Sequence, residues 1–441
     1  MIIFSNNFLR IGEHMKTEMN IGLLGLGVVA TGVVEMLAIQ KHKIEKQTGV
    51  TLNLSKVLVL DKAEKQALAA EHGFELVTDL KEITEDPTID IVIELIGRIS
   101  PAKDYILAAL RNKKHVVTAN KDLIAQHGEE LIQVAKDHHV GFYYEASVAG
   151  GIPILRSLAT SYMADHITSI QGIVNGTTNY MLTKMVEEKM DYATALAKAQ
   201  ALGFAESDPT NDVDGIDAAY KMIILGAFAF GKSLTINDLS IEGIRRLDLA
   251  DIFSAQSLGY EVKLVGEVKQ TSAGISASVG PVLLPKEHPL ATVKNENNGV
   301  YIESRGIGKS MLYGPGAGAL PTATSVLADL IEIAKQSQGA QLYPPFNELK
   351  EELPLAPKET IVNHYYLSVH LAETMASQDK VNAYLDDQKQ AIAFSKIEET
   401  DRLILLLKTV TEEQLQEQLS FVAQFGEVQS VLRIMGEIDE N

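Results

Sequence analysis

Five acids and a lysine crowd one short stretch of the chain. Between Gly203 and Lys221 (GFAESDPTNDVDGIDAAYK) lie Glu206, Asp208, Asp212, Asp214 and Asp217. Asp217 and Lys221 stand four apart, at the start of the apolar run Met222-Ile223-Ile224-Leu225. On a helix that spacing puts carboxylate and ammonium on the same face. Carboxylates beside a lysine can grip the ammonium of an amino acid and leave the lysine to handle a proton. One competing reading is an exposed i,i+4 ion pair, worth only ~0.3–0.5 kcal/mol. The other is a divalent-metal site, since Asp and Glu suit Mg²⁺ or Ca²⁺. The D-x-x-x-D-x-D spacing does not match a Ca²⁺ loop, and Lys221 would compete for the same oxygens. Asp208 and Asp214 acquire no catalytic task from any other motif and read as turn residues.

The elements that must position these groups begin with a nucleotide motif. Ile21-Gly22-Leu23-Leu24-Gly25 reads as a buried strand running into a tight turn. Gly25-Leu26-Gly27-Val28-Val29-Ala30 then opens a helical pattern, giving G-x-G-x-x-G/A in its strand-turn-helix setting. Gly25 permits the turn, Gly27 lets the backbone approach a pyrophosphate at the helix N-terminus, and Ala30 takes the packing place of the third glycine. Further strands are expected at 56–61, 89–97, 115–118 and 141–145, separated by helical patterns such as 102–112 and 131–138. Strands alternating with helices argue for a parallel, doubly wound α/β sheet of Rossmann type. Asp61 follows the second strand. It either binds a ribose hydroxyl, which points to NAD, or caps the next turn. Lys62 and Lys65 serve a 2′-phosphate, which points to NADP, or are solvated.

Three polar turns follow. Thr118-Ala119-Asn120-Lys121 closes the fourth strand, where ligands bind in such sheets. A lysine at a helix start is electrostatically unhelpful there, which favours a functional reading of Lys121. Glu145-Ala146-Ser147-Val148-Ala149-Gly150-Gly151-Ile152-Pro153 is a sharp, small-residue turn that exposes carbonyls. Asn175-Gly176-Thr177-Thr178-Asn179-Tyr180, after a strand at 170–174, either orients a small polar ligand or caps a helix.

Bulk properties narrow the class. A chain of 441 residues implies two or three domains. A net charge of −19 speaks against nucleic-acid and anionic-membrane partners. With no cysteine, disulfides and thiolate chemistry are excluded, which fits a reducing, cytoplasmic setting. No apolar run approaches the ~20 residues of a membrane helix. Residues 1–18 have no signal-peptide pattern and read as an extension without its own fold; Met15 and Met19 are alternative starts.

Taken together, GLLGLG, TANK, EASVAGGIPI, GIVNGTTNY, GFAESDPTNDVDGIDAAYK and YGPGAGALPTA (313–323) resemble homoserine dehydrogenase, in that family's order, over roughly residues 19–340. The resemblance implies reversible NAD(P)-linked interconversion of L-homoserine and L-aspartate 4-semialdehyde, on the route to threonine, methionine and isoleucine. It implies Lys121 and Lys221 as the two active-site lysines, the proton-carrying role being open between them and assigned first to Lys221. Glu206 and Asp217 would contact homoserine, Asp212 would support them, and Thr177 with Gly203 or Phe204 would lie close by. Gly25, Gly27, Val28, Val29, Asp61, Lys121 and Gly316 would hold NADP or NAD. Carbonyls of Glu145, Val148, Gly150 and Ile152 would hold a monovalent cation, Na⁺ or K⁺. Many members carry Arg where this chain has Leu60, which keeps both nucleotides open. A homodimer or homotetramer is implied by the resemblance alone.

The implied organisation is a dinucleotide domain at 19–148 completed by 314–336, and an α+β catalytic and dimerisation domain at 149–313. A Pro-containing linker follows at 337–358. From 359 to 441 a β-α-β-β-α-β pattern looks like an ACT domain, a small module that senses an amino-acid effector. Leu371–Ser377 lacks the Pro and Gly that such modules carry after their first strand. Regulation and simple pairing of subunits stand as equal readings of it.

Overall fold

A computed structural model of the chain describes residues 16–436, apart from 340–342, 348, 352, 373–374, 389–390 and 399–400. Most of the expected N-terminal extension and part of the 371–377 turn therefore lie outside the described residues. Two compact units emerge, one of residues up to 160 with 317–348, the other of 161–316 with 349 onward.

The first unit holds six parallel strands: β1 (Glu18–Leu24), β2 (Thr51–Leu58), β3 (Glu75–Val77), β4 (Ile91–Glu94), β5 (His115–Thr118) and β6 (Phe142–Tyr143). Their order is β3-β2-β1-β4-β5-β6. Parallel neighbours need crossovers, and helices Val28–Thr48, Ala102–Arg111 and Lys121–Asp137 supply them. The order reverses between β1 and β4, so the crevice beyond the C-terminal strand ends is the expected ligand site. Ile21–Leu24 of β1 and all of β4 are buried, which explains the apolar runs Ile21–Leu24 and Ile91–Ile93. β2 runs earlier than expected, from Thr51, because Asn53 and Ser55 on its less buried side interrupt the apolar signal. β3 has only three residues, too few to show a period.

Helix Ile154–Thr160 stays with this unit, beyond the boundary read at 148/149. The Glu145 carboxylate caps it by accepting from the amides of Leu155 (2.9 Å) and Arg156 (2.7 Å). Helix Ala319–Gln336 returns to the same unit, and the Arg156 guanidinium bonds Asp329 on it at 2.5 Å. Part of the expected linker is docked here too: the Phe346 ring packs 5.3 Å from Tyr143 and from Tyr144, under the Arg156 guanidinium.

The second unit is built on a mixed sheet. Its strands are β7 (Ile167–Ile173), β8 (Ser240–Ile241), β9 (Tyr260–Thr271), β10 (Gly274–Pro285), β11 (Asn297–Ser304), β12 (Gly308–Pro315), β13 (Val362–Leu371), β14 (Ile392–Ile397), β15 (Arg402–Thr411) and β16 (Gly426–Ile434). The order is β12-β11-β7-β9-β10-β16-β13-β15-β14, with β8 beside β10. Helix Ile216–Phe230 is apolar nearly all round and largely buried, as a core helix must be. It lies close against β9: a Cβ on Gly266 would sit 2.2 Å from Met222 Cγ, so glycine there sets the helix depth.

The last elements run β13, helix Met375–Asp387, β14, β15, helix Glu412–Val422, β16. β16 continues the sheet by pairing with β10 at Val282 and Leu283. Asp251, fully buried on helix Leu249–Ser257, ties this module down by accepting from Tyr366 Oη (3.1 Å), Arg402 Nη1 (2.7 Å) and Ser430 Oγ. The Pro-rich approach to it is anchored as well: Ile275 N donates to Pro354 O (2.8 Å) and Ala356 N to Ile275 O (2.9 Å).

Candidate active site

In the first unit, β1 ends at Leu24 and the chain turns at Gly25, whose φ of +89° is left-handed. A side chain would be strained there and would also meet Leu95 O at 3.3 Å. The Gly25 amide donates to Leu58 O (3.0 Å), locking the turn onto β2. Gly27 is the N-cap of helix Val28–Thr48 and offers no side-chain cap, and the first turn holds no acid. A Cβ on Gly27 would meet nothing within 4 Å. Uncapped amides facing open space fit a bound pyrophosphate. Ala30 is buried, as its packing role requires, and Val28 is 75% exposed. Asp61 Oδ1 accepts from Ala63 N (2.8 Å), so this carboxylate caps the turn after β2.

Lys121 is the first residue of its helix, held by the Asn120 cap on Leu123 N (3.2 Å). Its Nζ lies 3.3 Å from Asp122 Oδ1. Behind it stands Glu94, a fully buried acid at the end of β4 that sequence reading passed over. Glu94 accepts from Ile96 N (2.8 Å), Gly97 N (3.1 Å) and Thr118 Oγ1 (2.7 Å), and Thr118 in turn accepts from Asn120 N (3.0 Å). The signal was available: an acid inside the apolar run Ile91-Val92-Ile93-Glu94-Leu95-Ile96 has to find partners.

The Glu145–Ile152 turn passes through left-handed Ala149 and Gly150, with φ of 54° and 53°. The Glu145 carboxylate is engaged in capping the next helix. Gly150 O accepts from Ser325 Oγ (2.6 Å) and Ile152 O from Ile154 N (2.8 Å). Each carbonyl keeps a second lone pair. Burial pushes the Glu145 carboxyl up to about 7, against the pull of the Arg156 and Leu155 amides. Burial likewise raises Asp329, opposed by the Arg156 guanidinium beside it.

In the second unit the acidic segment separates into parts. Asp217, on the first turn of helix Ile216–Phe230, accepts from Lys221 Nζ at 2.7 Å. The same ammonium donates to Val174 O (2.6 Å). Asn175, the residue after that carbonyl, donates from Nδ2 to Asp217 Oδ2 (2.8 Å) and to Asp212 Oδ1 (2.7 Å). Asp212, Asn175, Asp217 and Lys221 thus form one hydrogen-bonded cluster. Thr177 is buried close by in sequence, and its hydroxyl donates to Phe204 O at 2.5 Å. Glu206 is exposed, with its carboxylate in no hydrogen bond or ion pair among the described residues. Asp208 caps Thr210 N (3.1 Å) and Asp214 pairs with Arg245 at 2.5 Å, so these two serve the turn and the surface. Among the described residues no group of three or more His, Cys, Asp or Glu is placed to hold a metal ion. Gly316 closes β12 against a buried Asn298, whose Cγ would lie 2.1 Å from any Cβ.

Two family models match the chain, the homoserine dehydrogenase NAD-binding domain over residues 25–145 and homoserine dehydrogenase over 153–331. A homoserine dehydrogenase of Lactococcus lactis is 51% identical over 356 residues, 80% of this chain and 83% of its own length. The chain belongs to the homoserine dehydrogenase family. It is therefore an oxidoreductase with an NAD(P)-binding domain. The solved homoserine dehydrogenase of Thiobacillus denitrificans superposes with a TM-score of 0.89 at 33% identity, covering 96% of this chain and 99% of that one. A hyperthermophilic archaeal homoserine dehydrogenase in complex with NADPH matches with a TM-score of 0.60 at 29% identity, over 72% of this chain and 97% of its own. Among the described residues no helix is long and apolar enough to cross a membrane.

Proposed function

We propose that this chain interconverts L-homoserine and L-aspartate 4-semialdehyde with NAD(P), feeding threonine, methionine and isoleucine synthesis in the cytoplasm. The observation that carries the reading is the Asp212–Asn175–Asp217–Lys221 cluster on a homoserine dehydrogenase chain. An amino-acid alcohol needs an anionic grip for its ammonium and a group that moves the hydroxyl proton. Asp217 and Glu206 supply the grip, Asp212 supports it, and Thr177 borders the substrate. In oxidation, Lys221 as a neutral amine takes the hydroxyl proton while the carbinol C–H leaves as hydride. In reduction its ammonium returns a proton to the aldehyde oxygen. Lys121 orients that oxygen, and the exchange of roles between the two lysines is the alternative assignment. The nicotinamide nucleotide, when bound, supplies the hydride acceptor. Gly25, Gly27, Val28 and Val29 hold its pyrophosphate, Asp61 its ribose, and Lys121 and Gly316 its nicotinamide end. The NADPH complex of the archaeal relative supports NADP, and the absence of an Arg at Leu60 supports NAD.

The reading extends to three coarser features. Carbonyls of Glu145, Val148, Gly150 and Ile152 hold a monovalent cation; the left-handed backbone at Ala149 and Gly150 supports it. The C-terminal β-α-β-β-α-β module is ACT-like and takes an amino-acid effector, and the enzyme is a homodimer or homotetramer. Homoserine oxidation assayed with NAD and NADP side by side, with and without threonine, tests the activity, the nucleotide choice and the C-terminal module together. In the same assay Lys221→Ala should lose turnover by orders of magnitude while still binding nucleotide. A variant at full rate would remove Lys221 from the mechanism.

A further inference from the structure

We infer that Asn175 is a positioning residue for the substrate grip, an inference that rests on the reading of Asp212 and Asp217 given above. The residue is 4% exposed and its side-chain amide is used to capacity. Oδ1 accepts from Thr178 N (2.8 Å) and Thr178 Oγ1 (2.8 Å), making Asn175 the N-cap of helix Gly176–Glu187. The two Nδ2 hydrogens go to Asp212 (2.7 Å) and Asp217 (2.8 Å). A flipped amide would set an oxygen against two carboxylates and a nitrogen against two donors, so the orientation is unambiguous.

The consequence is electrostatic as well as geometric. Asp212 and Asp217 come from different helices and both lie within hydrogen-bond reach of one nitrogen. Two carboxylates at that separation repel, and the single ammonium of Lys221 donates to Asp217. Asn175 supplies a polarised hydrogen to each acid, without adding a charge that would compete with a substrate ammonium. A lysine or arginine in its place would occupy the site it serves. The same residue carries the turn: Val174 O takes the Lys221 ammonium, Asn175 takes the acids, and Gly176 and Thr177 begin the helix. One cap thus locks the backbone of the NGTTNY turn to the carboxylates from the acidic segment, and the cap role and the clamp role use different atoms.

That division of atoms makes the inference testable. Ser and Asp rank with Asn as N-caps, so Asn175→Ser and Asn175→Asp keep the Oδ1 function and delete the Nδ2 donors. Homoserine oxidation, nucleotide binding by fluorescence and thermal midpoints would be measured on wild type and both variants. The homoserine KM should rise about 10- to 150-fold, the scale of losing a hydrogen bond to a charged group, with kcat falling less. Nucleotide affinity should stay near wild type. A residue that only caps the helix would leave KM unchanged, and a partly unfolded variant would lower the active fraction and hence kcat. If Asn175→Asp, with its third carboxylate, does not fold, Asn175→Ser decides. A homoserine KM within about twofold of wild type in a folded variant, or equal losses of nucleotide and homoserine binding, would overturn the inference. Wild-type protein that oxidises no homoserine would overturn the reading beneath it, and the inference with it.

Discussion

Asp217→Asn separates the proposed grip from ordinary surface pairing. The substitution keeps size and shape and removes one charge. The Asp217 and Lys221 side chains are 11% and 13% exposed. The pair therefore lies between an exposed i,i+4 pair at ~0.3–0.5 kcal/mol and a fully buried pair, whose broken partner costs ~3–5 kcal/mol. A hydrogen bond to a charged group, about 1.5–3 kcal/mol, is the fitting scale. Two contacts to a cation change, one to Lys221 and the proposed one to the substrate ammonium, while the Asn175 amide keeps an oxygen to donate to. Their sum is about 3–6 kcal/mol, or roughly 10²- to 10⁴-fold in kcat/KM. The control comes from the same acidic segment. Asp214 pairs with Arg245 at 38% and 45% exposure, and Asp214→Asn should change kcat/KM by less than about twofold. Steady-state homoserine oxidation on the two purified variants reads both numbers. If Asp217→Asn stays within a few-fold of wild type, or Asp214→Asn loses as much, the division of the acids into grip and surface is wrong.

Two further outcomes concern stability. His115 Nδ1 accepts from Gly141 N (2.9 Å), and burial holds its pKa down to about 4. The unfolded chain, at about 6.5, takes the proton first. Stability should therefore be full above about pH 6.5 and fall as pH drops toward 4, by up to ~3 kcal/mol. His115→Asn should flatten that part of the thermal-midpoint profile, and parallel wild-type and variant profiles would refute the account. Asp251→Asn removes a buried charge from Arg402, which is 12% exposed, and should cost ~3 kcal/mol or more. Earlier proteolysis of the C-terminal module would register it, and an unchanged digestion rate would mean that Asp251 does not anchor the module.

Legibility followed the range of the interactions involved. The sequence reading of β5 matches the structure to the residue, because the β-branched pair Val116-Val117 is flanked by turn residues on both sides and all four positions are buried. β2 was displaced, because polar residues on its less buried side masked its first half. The linker at 337–358 read as extended from its prolines, and that composition could not show its docking. Phe346 packs on aromatic residues some two hundred positions earlier, and Pro354 O bonds to the strand edge at Ile275. Asp61 was open between ribose binding and capping, and the bond from Ala63 N places one of its oxygens in the cap. Glu94 stands in an apolar run that marks it as an acid in need of partners, but its bond from Thr118 on the neighbouring strand is one no local pattern shows.

The sequence by itself determined what a few consecutive residues can dictate. The strand-turn-helix at Gly25 and Gly27 follows from local backbone freedom and from amides that any helix start leaves unpaired. The meeting of Asp217 and Lys221 follows from 3.6 residues per turn, since positions four apart on a helix face one another. Tertiary structure decided which of five acids meet and what orders them. Asp212 and Asp217 are joined by Asn175, 37 and 42 positions away, through two hydrogens on one nitrogen. Asp208 and Asp214, identical in type and only a few residues away, turn instead to a backbone amide and a surface arginine. No local rule distinguishes those pairs. Only the packing of helix Ile216–Phe230 against β7 and β9 brings the NGTTNY turn to one pair of carboxylates and leaves the other pair in water.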